Sequence, residues 1–122
     1  QWTPFTFRFK PDKSGKVLLY YRSNSTGGKK VWVLYDGLEA KGAWLGNGGF
    51  EDLSDGGIPT YWSLPKYKEE QAQVVKDKSV AKDGEACLKV WHNCPGIQSL
   101  KVTGGTEVTL TGYARLLEVT DQ

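Results

Sequence analysis

Phe5-Thr6-Phe7-Arg8-Phe9-Lys10 alternates aromatic and polar side chains without a break. A period of two belongs to a strand, so Phe5, Phe7 and Phe9 are expected to face a core while Thr6, Arg8 and Lys10 face water. Working outward, residues 11–15 read as a turn and 16–22 as the next strand. Residues 23–30 form a polar loop. Val31-Trp32-Val33-Leu34-Tyr35 is apolar at every position, as in a strand covered on both faces, and Asp36-Gly37 punctuates it. Residues 46–60 are rich in turn formers. Short strands are expected at 61–63, 73–76, 86–92, 97–102 and 107–116, and 65–73 is the one helix candidate. Seven or eight short strands spaced by turns predict an all-β chain, an antiparallel β-sandwich of the jelly-roll kind, formed as one domain over residues 1–122.

The composition narrows the function classes. The chain has 122 residues, 39% hydrophobic and 25% charged, which suits one domain with one core. Sixteen Lys and Arg against 14 Asp and Glu leave a charge of +2 with no charged block, so there is no footprint for nucleic acid or an anionic membrane. No apolar run approaches the ~18 residues of a membrane span. A first residue other than methionine implies processing or excision. One histidine, His92, and two cysteines leave no CxxC, HExxH, GxSxG or phosphate-loop motif. The Gly-Gly pairs lie among polar residues and read as turns. Fourteen acids leave a paired-carboxylate glycosidase open on composition, but without further signature the expectation is a non-catalytic binding or structural module.

Cys87 and Cys94 in a small turn-rich β-domain favour an oxidising compartment, and hence a secreted or extracellular chain. An extended 87–94 segment spans about 20 Å, well beyond bridging reach. A disulfide would need the chain to fold back around Trp91-His92-Asn93, and would add roughly 2.5 kcal/mol of loop-closure stabilisation. A bridged pair and two free thiols are both open at this point.

Asn47-Gly48-Gly49-Phe50-Glu51, followed by Gly57-Ile58-Pro59 and Trp62, resembles the opening of carbohydrate-binding modules of the family 4/9/16/22 type, which are galactose-binding-like jelly rolls. Residues 81–90 resemble a later stretch of those modules. Residues 108–116 resemble a further strand, with Tyr113 at its aromatic position. Trp2 to Phe9, residues 17–21 and residues 31–38 are similar to the family's closing strands, with Asp36 matching the first of two aspartates and Gly37 replacing the second. Residues 1–40 thus resemble the family's C-terminal strands, 41–46 a joining segment, and 47–122 its N-terminal strands. This is the order of a circular permutation or of a boundary between tandem modules. The resemblance implies a structural Ca²⁺ held by Asp36 and Glu51 with backbone carbonyls, an ion that takes hard oxygen ligands.

A sugar site needs flat aromatics for C–H faces and polar side chains for hydroxyls. Alternation over 108–116 puts Val108, Leu110, Ala114 and Leu116 on one side and Thr109, Thr111, Tyr113 and Arg115 on the other. Over 86–92, Leu88 and Val90 point to the core and Lys89 and Trp91 outward. Trp91 and Tyr113 are therefore expected to stack a polysaccharide or oligosaccharide, with Arg115 and Gln98 binding hydroxyls. Trp2, Trp32 and Trp62 are expected in the core and Trp44 at one end of the sandwich or against a neighbour. His92 is read as structural. The alternative is a structural subunit of a surface layer, filament or adhesin. It would self-associate by strand exchange at its edges, with residues 116–120 adding to a neighbour's sheet.

Overall fold

The structure, a computed structural model, describes residues 1–24 and 27–122; positions 25 and 26 of the 23–30 loop lie outside the described residues. It is all-β and antiparallel. Among the described residues seven strands follow in chain order: β1 (Thr3–Phe9), β2 (Gly15–Tyr21), β3 (Lys29–Lys41), β4 (Gln73–Lys76), β5 (Ala86–Val90), β6 (Gly96–Val102) and β7 (Val108–Asp121). One sheet has the order β1-β7-β3-β5-β4 and the second pairs β2 with β6. Strands from the 1–40 and 47–122 segments interleave within the larger sheet. Seven strands split five and two do not establish the eight-stranded jelly-roll order.

β3 occupies the middle of the five-stranded sheet, which is why its sequence is apolar on both faces. Val33 and Tyr35 point inward, onto the core of Tyr21, Leu38, Phe50, Trp62, Leu64, Leu88 and Val90. Leu100, Val102, Val108 and Leu110 continue that core toward the Phe9 end. Trp32, Trp91 and Cys94 form a third cluster, on the outer face. Asp36-Gly37 does not end the strand. Gly37, at φ 62°, lets β3 bulge between Asp36 and Glu39 and continue to Lys41.

Three further expectations change. Residues 65–73 are not helical: Tyr67 and Glu70 exchange backbone hydrogen bonds (2.8 and 3.0 Å) across a tight turn in which Lys68 has φ 57°. Residues 61–63 reduce to a single bridge, Ser63 to Ile97. Phe5 and Phe9 are half-buried as the alternation requires, but Phe7 is 59% exposed, because the two-stranded sheet is too narrow to cover β1. No helix of the described residues is long and apolar enough to cross a membrane.

Candidate functional site

The Asn47–Glu51 motif organises one end of the molecule. Asn47 takes a left-handed conformation (φ 52°), and its amide donates to the carbonyls of Asp52 (2.9 Å) and Thr60 (3.0 Å). Its own carbonyl accepts from the Trp62 indole at 2.9 Å. Phe50 is fully buried against Trp62, with ring centroids 5.1 Å apart. Gly48 is required by contact, since a Cβ there would overlap the Leu38 carbonyl oxygen, whose own amide donates to Gly48 O. The motif thus ties residues 47–62 to the edge of the core.

Glu51 and Asp36 anchor one segment, residues 82–86. The Asp36 carboxylate is fully buried and accepts N–H bonds from Gly37 (2.8 Å), Lys82 (3.0 Å) and Asp83 (3.1 Å). Burial raises its pKa above the ordinary value, and the three N–H bonds offset part of that. Glu51 accepts from Glu85 (3.1 Å) and Ala86 (3.0 Å). Ca²⁺ takes six to eight oxygens. As placed, both acids point their lone pairs at backbone N–H groups, and among the described residues no cluster of three or more His, Cys, Asp and Glu could hold a metal.

The residues expected to bind sugar do not come together as a platform. Trp91 takes the outer face, as alternation requires, but is only 2% exposed. The 67–70 turn brings Tyr67 edge-on to it, with centroids 6.1 Å apart, and Lys30 lies 5.4 Å over its ring. Gln98 points inward at 4% exposure; its amide is used up on Gly46, accepting from Gly46 N (2.8 Å) and donating to Gly46 O (3.0 Å). Tyr113 is half-buried beneath the Lys82 ammonium, 4.5 Å from its ring centroid, and Arg115 reaches the Val80 carbonyl at 3.5 Å. Strand parity placed Trp91, Tyr113 and Arg115 on the correct face. The segments lying over that face are what parity does not contain.

Trp62 and Trp32 are buried and Trp2 is half-buried. His92 places its Nδ1 3.0 Å from the Ser23 carbonyl oxygen. Both cysteines are free and buried. Trp91 and Cys94 close a turn between them through N–H bonds of 3.3 and 3.1 Å, and burial pushes the Cys87 thiol up to about 11.

A pair of accessible aromatic rings in mutual contact lies elsewhere. Trp44 is 65% exposed and Tyr61 59%, and the two rings meet edge to face at 5.0 Å, 89° apart. Gly46 lies between them: a Cβ there would overlap the Trp44 ring and stand 2.7 Å from Tyr61 Cδ2. The Gly46 backbone is the group that Gln98 holds from beneath. The signal in the sequence was an aromatic between Gly42 and Gly46, in a segment with no strand pattern to bury it. Comparison with family models, with curated proteins and with solved structures finds no match.

Proposed function

We propose that the chain is a non-catalytic carbohydrate-binding module that holds a polysaccharide on the Trp44–Tyr61 corner. The observation that carries the reading is this pair of exposed, mutually perpendicular rings over a backbone pinned by a buried amide. Perpendicular rings offer one flat face for the C–H side of a sugar and an edge beside it that sets the chain's direction. Gln98 contributes by fixing Gly46, so the corner is already ordered before ligand arrives. The likeness of residues 47–62 to the opening of carbohydrate-binding modules supports the same reading. A shallow site of this size suits affinities from micromolar to millimolar, about −8 to −4 kcal/mol.

The test is affinity electrophoresis of the folded chain through gels containing xylan, mixed-linkage β-glucan or mannan, each with Ca²⁺ or with a chelator. Retardation in one gel that Trp44→Ala removes is the expected result. A folded chain slowed by none of these polymers, or slowed equally after Trp44→Ala, overturns the assignment. The chelator is expected to change nothing, since backbone N–H groups hold the acids at residues 82–86; retardation lost on chelation would put Ca²⁺ at Asp36 and Glu51.

A further inference from the structure

The second sheet is three strands narrower than the first, and the consequence is localised. Phe7 (59% exposed) and Leu116 (60%) are both on the inner face of the five-stranded sheet, Phe7 opposite Leu110 and Leu116 opposite Val33. Neither is covered. Between β1 and β2 the gap is an apolar groove of about 440 Å³, lined by Phe5, Phe7, Leu19, Tyr21, Tyr35 and Leu110. The Tyr21 hydroxyl, buried beside it, has no hydrogen-bond partner among the described residues.

The groove runs beside an unpaired sheet edge. β2 is bonded to β6 along all seven of its residues, and among the described residues no strand lies on its other side. Side chains alternate along it, with Val17, Leu19 and Tyr21 inward and Lys16, Leu18 and Tyr20 outward. A strand added there would turn alternate side chains toward Phe5 and Phe7 and the others outward beside Lys16, Leu18 and Tyr20.

Charge selects the occupant. Lys16 and Arg22 are exposed at the two ends of β2, Lys10 and Lys13 are exposed in the segment leading into it, and Asp12 is the single acid from Thr3 to Arg22. Lys16 also stands opposite Lys101 in the β2–β6 register. A second β2 laid on this edge would bring like charges together. Residues 116–120, the segment considered for strand exchange, are paired in their own sheet with β3. We propose that the β2 edge and its groove accept an extended segment of a partner protein in which apolar residues alternate with acidic ones. Main-chain bonds to β2 would supply affinity, the groove would take the apolar residues, and Lys16 and Arg22 would select acids between them.

The probe is a capped heptapeptide, Leu-Glu-Val-Glu-Leu-Glu-Val, added to the intact chain and followed by amide NMR shifts and hydrogen exchange. Two control peptides carry Lys in place of Glu, or N-methyl groups on alternate amides. The expected result is binding near 0.1 mM, about −5.5 kcal/mol, with shifts in β1 and β2 and slowed exchange along β2. Each control should bind at least tenfold more weakly. Phe7→Glu, at an exposed position that spares the fold, should weaken the acidic peptide at least tenfold. Failure of the acidic peptide to bind the folded chain overturns the proposal, as does equal binding of the Lys peptide. A dimer in sedimentation equilibrium that Phe7→Glu dissociates would also overturn it, making a second copy the occupant. Sugar retardation at Trp44 is independent of each of these outcomes.

Discussion

Gln98→Leu is the substitution that most directly probes how the exposed aromatic corner is held. The Gln98 amide is almost fully buried and makes two bonds, both to Gly46, whose N–H and C=O are themselves buried. Leucine keeps similar bulk and removes both partners at once. Each buried backbone group left unsatisfied costs about 1–3 kcal/mol, so the pair should cost about 2–6 kcal/mol. At roughly 0.05–0.15 kcal/mol per residue, a chain of this length has about 6–18 kcal/mol in total, so the variant folds but is measurably weakened. In urea, with a slope of about 1–3 kcal/mol/M, the midpoint should fall by at least about 0.7 M. Amide exchange at Gly46 should accelerate in parallel, because its N–H loses its acceptor. A loss below about 0.5 kcal/mol with unchanged exchange at Gly46 would refute the reasoning, since it would mean that this segment is held by packing and not by the amide.

Gly46→Ala should separate function from stability. The added methyl meets the ends of the Trp44 and Tyr61 side chains, which can swing into solvent, so the urea midpoint should shift little while polysaccharide retardation falls several-fold. An equal retardation would place the sugar elsewhere. Asp36 has a folded-state pKa raised from 3.8, mainly by burial, so its contribution to stability is fullest below 3.8 and is lost as pH rises through the folded value. Urea midpoints between pH 3 and 7 should therefore show the parent chain losing stability relative to Asp36→Asn as pH rises, and a relative gain would reverse the assignment. Cys87, with its pKa pushed up to about 11, and the buried Cys94 should resist a disulfide-exchange reagent at pH 8 in the native chain and react fully in guanidinium. Labelling of the native chain at the rate of a free thiol would show that these residues open.

Local periodicity by itself determined that the chain is all-β. The alternation from Phe5 to Phe9 reads as a strand, and the apolar run from Val31 to Tyr35 as a strand covered on both faces. β1 and the middle of β3 are found there. Periodicity also set which face Trp91, Tyr113 and Arg115 occupy, because strand parity is a property of the backbone. Tertiary structure decided what lies over those faces. The 67–70 turn seals Trp91 and the Lys82 side chain sits on Tyr113, through contacts between segments more than 20 residues apart in sequence. Gln98 is turned inward for the same reason. An amide in an alternating strand looks like a surface group until Gly46 supplies both of its buried partners. The width of the second sheet is likewise a property of the assembled chain, and it leaves Phe7 in water. Strand parity is encoded one residue at a time, whereas coverage of a face depends on every segment that packs against it.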